Sequence, residues 1–442
     1  MNPIRPIYSS LLYAAAPLAM LYLLKRSKKQ PEYKQHWAER FGVASYPKPK
    51  KSRIRIMIHA VSVGETRATE TLVEAILKKW PQVDIIYTHM TPTGREVGEK
   101  IARRYGNRVS QSYLPYDTPF AVKRFLKQVK PSLIMMIETE VWPNLTFYAK
   151  KLGIPLVLAN ARLSEKSLKK GKKVTALIKP AMQRLDITLA QSDADAERLR
   201  EAGCELVVVL GNLKFDFTPN IPQLRTALEL RKLLERPLVL FASTREGEEE
   251  RFLKLIEDWK KEKKEEKPLW VIVPRHPQRF EQVKKLIEEK GLSVVKRSNV
   301  RDWRTIFSAT GPEVVLGDSM GEMHFYYALA DVAVMGGSFG PYGSQSVIEP
   351  CGIGAPLIVG PSTFNFQTAI EEGQKEEALV CVKDEPDAMR AIEELLADKN
   401  KRDSLSKKAL LFSEKKRGAT QKTIAVIDEI LCGGESNEKE VP

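Results

Sequence analysis

Three carboxylates in the first half of the chain stand where acid–base chemistry could occur. Glu65 follows an apolar run at residues 54–59, and Glu138 and Glu140 follow a second apolar run at 133–137. A carboxylate at the buried end of a strand needs a partner, solvent or a function. We interpret Glu65 as a candidate general base for a hydroxyl group. The alternative is a glutamate that the helix dipole favours in a first helical turn.

A glycine-rich stretch at residues 332–366 could bind a phosphate. It combines an apolar run, a glycine loop at 336–343 and the segment SQSVIE at 344–349, which predicts the capped first turn of a helix. Backbone N–H groups and the dipole of such a helix attract an anion, and the glycines allow a close approach. Glu349 would lie about one turn into the helix, within reach of a ribose diol. The alternative is an ordinary strand-to-helix connection in which Glu349 caps its own helix.

Polar residues follow other predicted strands in both halves of the chain. Lys214 could stabilise negative charge in a cleft, or could pair with Asp216 at the surface. Arg275 and Arg279 are suited to binding phosphate or carboxylate. Further polar segments lie at 160–164, 243–245 and 317–322. Ligands of open α/β sheets bind beyond the carboxyl ends of the strands, so these are the residues that we expect to carry function.

Metal ligands and disulfides find little support in the sequence. Asp193 and Asp195 have DxD spacing, but the segment SDADAE is more typical of a helix cap followed by acids in the first turn. The five histidines show no metal-ligand spacing. The four cysteines form no CxxC pair, which indicates reduced thiols. We predict neither a metal nor a cofactor.

Short apolar runs alternate with longer amphipathic ones, which predicts parallel sheets with helices on both faces. In the first half, strands are predicted at 54–59, 83–88, 133–137, 156–159 and 207–210, and helices at 66–79, 94–105 and 144–152. In the second half, strands are predicted at 238–242, 270–273, 294–296, 314–316, 332–335 and 357–359. We therefore predict an α/β protein with two Rossmann-like, doubly wound domains that face a cleft.

The amino-terminal segment predicts a membrane anchor. Residues 7–24 are largely apolar and uncharged, and residues 25–29 then carry Lys and Arg, which places the remainder of the chain on the cytoplasmic side. Pro17 and the short length also allow a helix that lies in the membrane interface. The net charge of +15 fits an anionic bilayer or an anionic substrate. No nucleic-acid-binding motif is present in the sequence, so we predict no nucleic-acid partner.

Motifs along nearly the whole chain resemble those of the Kdo transferase family, which adds 3-deoxy-D-manno-octulosonic acid (Kdo) to a lipid A precursor. The matching segments, in order, are 59–65, ETEVWPN at 138–144, NARLS at 160–164, GNLKFD at 211–216, PRHPQRF at 274–280, 317–322 and the stretch ending in GPSTFNF. The resemblance implies the GT-B glycosyltransferase architecture, with CMP-Kdo as donor and the lipid A precursor as acceptor. It also implies an enzyme at the cytoplasmic face of the inner membrane, held by its anchor against anionic lipid.

The resemblance also assigns roles to residues. Glu65 matches the proton acceptor, and Glu138 and Lys214 match the stabilisers of the transition state. The CMP-binding segments are matched by Pro274, Arg275, Met320, Gly321, Glu322, Ser346, Val347, Ile348 and Glu349. The family usually has Asn where this chain has Ser346. The implied domains are an anchor at 1–30, an acceptor-binding domain at 31–222, a CMP-sugar-binding domain at 223–432 and a disordered tail at 433–442.

Two other classes of function remain open from the sequence. One is another GT-B transferase or a nucleotide-sugar epimerase, which needs no lipid acceptor. The other is a membrane-anchored binding protein with a degenerate nucleotide site, for which the serine at position 346 is the support.

Overall fold

The computed structural model describes residues 4–28, 30–49, 53–262 and 267–432. The chain divides into two compact units, Met1–Phe217 with Arg417–Pro442, and Thr218–Lys416. The end of the chain differs from the predicted division, which placed residues up to 432 in the second domain. The last helix belongs to the first unit because its Ile424 and Ile427 are buried in a core cluster of that unit. The predicted disordered tail lies outside the described residues.

The described part of the first unit forms a seven-stranded parallel sheet in the order β3-β2-β1-β4-β5-β6-β7. The strands are β1 Ile54–His59, β2 Val83–His89, β3 Val109–Tyr113, β4 Leu133–Ile137, β5 Leu156–Ala161, β6 Ile187–Ala190 and β7 Val207–Val209. Alternate residues of β4 enter two cores: Ile134 and Met136 lie in one, Leu133 and Met135 in the other. Such a strand is buried on both faces, which explains its unbroken apolar run.

Helices cover both faces of this sheet. They are α1 Ile4–Ser27, α2 Trp37–Arg40, α3 Val63–Ala68, α4 Glu70–Lys79, α5 Pro92–Tyr105, α6 Pro119–Val129, α7 Pro143–Lys151, α8 Glu165–Lys172, α9 Thr175–Met182 and α10 Asp193–Ala202. The helix predicted at 66–79 is divided at Thr69, whose hydroxyl donates to the carbonyl groups of Glu65 and Thr66. The strand order reverses between β1 and β4, and ligands of doubly wound sheets bind at such a switch point.

The described part of the second unit also forms a seven-stranded parallel sheet, in the order β10-β11-β9-β8-β12-β13-β14. Its strands are β8 Leu238–Thr244, β9 Leu269–Pro274, β10 Val294–Lys296, β11 Val314–Leu316, β12 Val332–Met335, β13 Leu357–Val359 and β14 Val380–Cys381. Its helices are α11 Ile221–Arg231, α12 Glu248–Lys261, α13 Phe280–Glu289, α14 Trp303–Phe307, α15 Met323–Leu329, α16 Ile348–Ile353, α17 Gln367–Lys375, α18 Glu385–Ala397 and α19 Lys399–Lys415. The final helix, α20 Ala419–Cys432, returns to the first unit. The prediction of two doubly wound α/β units is thus confirmed.

The amino-terminal helix α1 is long and apolar enough to cross a membrane by length and composition. One face of α1 packs on the first unit, where Ser9, Leu23 and Ser27 are buried. The opposite face exposes Ile7 and Leu18, at 58% and 68% of their surface.

Candidate active site

Glu65 lies at the start of α3, just beyond the carboxyl end of β1. Ser62 caps this helix: its hydroxyl accepts from the N–H of Glu65 at 3.4 Å and donates to a Glu65 carboxylate oxygen at 2.8 Å. The other carboxylate oxygen accepts from the N–H of Val61 at 2.8 Å. Glu65 therefore does stabilise a helix start, as one interpretation of the sequence held. A carboxylate has about four acceptor sites, so two bonds still leave capacity for a substrate proton.

Burial raises the pKa of the Glu65 carboxyl above its ordinary value. The bond from Val61 opposes this rise in pKa, and the negative charge of Glu138 adds to it. A carboxylate with a raised pKa is a stronger base than a solvated one. The environment of Glu65 thus favours proton transfer.

Glu138 directly follows β4 and has a left-handed backbone conformation, with φ of 60°. The neighbouring strand β5 bends in the same way at Asn160, with φ of 52°. Such backbone costs on the order of 1–3 kcal/mol for a non-glycine residue and is found most often at functional sites. The bends belong to the two central strands beside the switch point of the sheet.

The Glu138 carboxylate is buried between two cations. Lys214 Nζ lies 2.8 Å from one carboxylate oxygen, and Arg162 Nε lies 2.7 Å from the other. Burial alone would raise the pKa of Glu138, but Lys214 and Arg162 outweigh burial and hold the pKa below its ordinary value. Glu138 therefore stays ionised, and the group of three side chains keeps one net positive charge.

Asn160 positions Lys214, a role that the sequence analysis did not assign. Its side-chain oxygen accepts from the N–H of Leu213 at 2.9 Å, at the start of the 3-10 turn Leu213–Asp216. The side chain of Asn212 accepts from the N–H of Lys214 at 3.0 Å. The carboxylate of Asp216, the alternative partner for Lys214, accepts from the N–H of Gly418 at 2.6 Å. The turn thus holds Lys214 toward Glu138.

Glu140 is a further acid in the same group, although the sequence analysis gave it no role. Burial, the charge of Glu65 and that of Glu138 raise the pKa of Glu140 to about 7, while a bond from Trp142 Nε1 at 3.0 Å opposes the rise. The first unit thus gathers Glu65, Glu138, Glu140 and Lys214. The position of Glu140, two residues after Glu138, was the only signal for this residue in the sequence.

In the second unit, Glu248 organises the glycine loop after β12. Its buried carboxylate accepts from the N–H of Gly337 at 2.8 Å, of Phe339 at 2.9 Å and of Arg245 at 2.8 Å. Glu248 is the first residue of α12. The Glu248 carboxylate stabilises the loop by accepting from these N–H groups, so they are not available to a bound phosphate.

The predicted helix start at Ser344 is wrong. Ser344 has a left-handed φ of 70°, as does Gly343 at 74°, so no helix can begin there. The N–H of Ser344 and that of Gln345 instead bond to the carbonyls of Gly337 and Gly336. Helix α16 begins at Ile348, and Glu349 is its second residue rather than one turn inside it. A helix of 6 residues supplies little dipole.

The predicted nucleotide-binding segments present different groups. Val347 and Ile348 are buried in the core, so they can offer a ligand only backbone atoms. Ser346 and Glu349 are half-buried, and Pro274 is buried at the end of β9. Met320 is exposed beside Gly321, which has a φ of 82°. Glu322 forms an ion pair with Arg297 at 2.9 Å.

Arg275 and Arg279 differ sharply. Arg279 is buried and binds both oxygens of Glu249, at 2.7 and 3.0 Å, so the expectation of a phosphate ligand does not fit it. Arg275 is exposed, and its Nε donates to the side chain of Gln345 at 3.2 Å. Arg275 and Glu349 also act on one buried phenol: burial and Glu349 raise the pKa of Tyr327, and Arg275 lowers it. The charges of both predicted residues thus reach Tyr327.

Asp193 and Asp195 form a helix start, as predicted. The hydroxyl of Ser192 accepts from the N–H of Asp195, and the Asp195 carboxylate accepts from the N–H of Leu163 at 3.0 Å. Within the described ranges, no three His, Cys, Asp or Glu side chains are grouped to hold a metal ion.

A family model and two curated relatives indicate the same family. A family model described as 3-Deoxy-D-manno-octulosonic-acid transferase (kdotransferase) matches residues 35–217. The chain is 37% identical to the 3-deoxy-D-manno-octulosonic acid transferase of Bordetella pertussis, over 97% of this chain and 99% of the relative. It is 34% identical to the protein of the same name from Haemophilus influenzae, over 97% of this chain and 99% of the relative.

A solved structure of a glycosyltransferase from Rickettsia africae has a TM-score of 0.56 and 15% identity, and the match covers 86% of this chain and 99% of that chain. At that identity the likeness shows the fold alone.

Proposed function

This chain belongs to the 3-deoxy-D-manno-octulosonic acid transferase family, and from that premise we propose that it transfers Kdo from CMP-Kdo to lipid IVA, a lipid A precursor, in lipopolysaccharide synthesis. The observation that carries this proposal is the identity of 37% across 97% of the chain. That similarity favours transfer over an epimerase or a non-catalytic binding protein.

We assign the role of general base to Glu65. In the proposed reaction, a hydroxyl oxygen of the acceptor attacks the anomeric carbon of Kdo. The bond from that carbon to the phosphate oxygen breaks, and CMP leaves with the bonding electrons. Glu65 takes the hydroxyl proton, and the configuration at the anomeric carbon inverts. The raised pKa of Glu65 supports this role, because a more basic carboxylate accepts the proton more readily.

Glu138 and Lys214 are proposed to stabilise the sugar during transfer. Glu138 lies between Lys214 and Arg162, at 2.8 and 2.7 Å, which fixes the position of both cations. Kdo carries a carboxylate, and the net positive charge of the three side chains suits such a group. Asn160 and the turn at Leu213–Asp216 hold Lys214 in position before the substrate binds.

The donor nucleotide is proposed to bind the second unit. Since α16 starts at Ile348, we assign the phosphate to Arg275 and to backbone N–H groups at Ser346 and Val347 rather than to a helix dipole. Glu349, whose charge like that of Arg275 reaches Tyr327, is assigned to the ribose. The phosphate of CMP carries less charge than a diphosphate, so these groups suffice to stabilise it as it leaves.

Helix α1 is proposed to lie on the cytoplasmic surface of the inner membrane rather than to cross it. Tyr8 donates to the buried Asp117 at 3.1 Å, Ser9 bonds to Asn144, and Leu23 is buried near the other end of the helix. A helix that crossed the bilayer would lose these contacts. Its outer face, including Ile7 and Leu18, is apolar and suits the interface of an anionic bilayer, next to Lys25 and Arg26.

Incubation of the purified full-length protein with CMP-Kdo and lipid IVA, followed by mass spectrometry of the lipid, tests the function. Addition of one or more Kdo masses with release of CMP is the expected result. Release of CMP without any change in the lipid would contradict the proposed acceptor. The absence of both products, the Kdo-modified lipid and free CMP, would overturn the proposed transfer.

A further inference from the structure

Two arginines of the first unit flank one aromatic ring at the amino end of α1. The guanidinium carbon of Arg5 lies 3.6 Å from the centre of the Phe147 ring, and that of Arg184 lies 5.5 Å from the same centre. Both arginines line a cavity of about 340 Å³, which we call the arginine pocket. Leu177 and Pro180 of α9 contribute apolar walls. The pocket thus combines two cations with an apolar lining.

Buried polar groups hold Arg5 in place. Its guanidinium donates to the side-chain oxygen of Asn144 at 2.9 Å. The side-chain amide of Asn144 in turn donates to the backbone carbonyl of Asp117 at 2.6 Å, and its oxygen also accepts from Ser9 at 3.2 Å. Because Asn144 and Ser9 are buried, this network fixes one wall of the pocket before any ligand arrives.

The charge of the two guanidinium groups lacks a matching acid. No carboxylate of the described residues forms an ion pair with Arg5 or Arg184. The charge of Arg5 reaches Asp117, but this acid is buried, and its two oxygens already accept from the N–H groups of Asn144 and Leu145, both at 2.8 Å. Burial, and then the charge of Arg5, lower the pKa of Arg184. Two like charges around one half-buried ring favour the entry of an anion.

The lining of the pocket indicates what kind of molecule bears the anion. The apolar side chains of Pro6, Ala176 and Leu177 line the pocket together with the arginines, and Ala176 is exposed. A ligand that reaches the arginines beside these side chains meets apolar surface next to positive charge. A phosphate with an attached acyl chain satisfies both, whereas a free phosphate uses only the arginines.

We propose that the arginine pocket binds a phosphate group carried by a membrane lipid. Guanidinium groups bind phosphate oxygens with two parallel hydrogen bonds, and Arg5 and Arg184 offer two such groups to one ligand. The lipid is either a phospholipid of the bilayer or the phosphorylated acceptor. The second source rests on the proposed function, and the first does not.

Flotation of the full-length protein with vesicles tests the pocket without any transfer reaction. The vesicles are pure phosphatidylcholine, or phosphatidylcholine with phosphatidic acid, whose phosphate is a monoester. We expect Arg184→Gln to weaken the phosphatidic acid-dependent part of binding about tenfold, since the variant loses charge-assisted hydrogen bonds to the phosphate. Arg184→Lys keeps the charge and should keep part of the binding.

Arg103→Gln is the matched control, because Arg103 is an exposed arginine of the same unit that pairs with Glu99. Equal losses in Arg184→Gln and Arg103→Gln would overturn the pocket and indicate a general effect of surface charge. Competition by millimolar inorganic phosphate, with no preference for phosphatidic acid, would also overturn a lipid ligand. Unfolding temperatures of all variants show whether the substitutions leave the fold intact.

Kinetics in detergent micelles separates the two sources. If the phosphate belongs to the acceptor, Arg184→Gln raises the KM for lipid IVA about tenfold and leaves the KM for CMP-Kdo unchanged. If it belongs to the bilayer, both KM values stay unchanged while vesicle binding falls. Unchanged KM values together with unchanged vesicle binding refute the proposal. Should the wild-type protein transfer no Kdo, the vesicle experiment still decides the first source.

Discussion

The ammonium nitrogen of Lys214 lies 2.8 Å from a carboxylate oxygen of Glu138, although 76 positions separate the two residues in the chain. Two left-handed residues, Glu138 and Asn160, and the turn at Leu213–Asp216 bring the pair together. Since Arg162 binds the other oxygen, the buried carboxylate is compensated twice. The fold thus supplies a fixed positive charge at the end of its central strands, beside Glu65.

Replacement of Glu65 by Gln should reduce kcat about 10²–10⁴-fold, the range that a positioned general base contributes. Gln keeps an acceptor for the N–H of Val61, so the free energy of unfolding should fall by no more than about 2 kcal/mol. Binding of CMP, measured by calorimetry, should be unchanged because the donor is assigned to the second unit. Glu70→Gln, at the start of α4, is the control. Turnover of Glu65→Gln within a factor of about three of wild type would exclude Glu65 as the base.

Removal of Lys214 should destabilise the first unit as well as slow the reaction. Lys214→Met leaves the buried Glu138 with Arg162 alone, and we expect a loss of about 1–3 kcal/mol in urea unfolding. A second substitution, Glu138→Gln, should recover part of that loss, with a coupling energy of about 0.5–3 kcal/mol. Lys150→Met removes an exposed pair with Asp186 and should cost less than about 1 kcal/mol. Equal losses at positions 214 and 150 would contradict a compensated buried charge.

Strands that are buried on both faces of a sheet were the easiest to predict, because their apolar runs are unbroken. The run LIMMI of β4 is apolar throughout, and its bounds were predicted correctly. Strand β3, VSQSY, lies at the edge of its sheet and alternates with polar residues, so it was missed. Two further strands were missed: β6, ITLA, which carries a threonine within its 4 residues, and β14, which is only 2 residues long.

The candidate site could be predicted by position but not by geometry. Glu65, Glu138 and Lys214 were found because they follow strands. The pairing of Arg279 with Glu249 joins residues 30 positions apart, and no local pattern indicates it. The left-handed Ser344 likewise depends on bonds to Gly337 across the loop, whereas its residue type is typical of a helix cap. Tertiary contacts thus decide which polar residues remain available.

The pKa of Glu140, raised to about 7, predicts a pH dependence of stability. The folded protein binds the Glu140 proton more tightly than the unfolded chain does. The contribution of Glu140 to the free energy of unfolding is therefore fully present below the ordinary pKa of about 4.5, and it is lost as the pH rises through about 7. Glu140→Gln keeps an acceptor for Trp142 and removes this loss. Thermal unfolding should therefore show a gain for Glu140→Gln at pH 8 and little difference at pH 4.

Asp117, whose pKa burial also raises to about 7, contributes the same trend to both proteins, so the informative quantity is the difference between them. A difference in stability that is equal at pH 4 and pH 8 would show that Glu140 does not titrate in this range.

If α1 lies on the membrane surface, its two faces should respond differently to substitution. Leu18→Asp on the exposed face should weaken vesicle binding at least about tenfold, because one leucine contributes about 1.5–3 kcal/mol, while transfer in detergent persists. Leu23→Asp on the packed face should instead lower the unfolding temperature, since Leu23 is buried in the first unit. A tag placed before Ile4 should be cleaved by protease only from the cytoplasmic side, because Arg5 and Ser9 bind the same unit as the rest of α1. Cleavage of the tag from the opposite side would mean that the helix crosses the bilayer and that these contacts do not form in the cell.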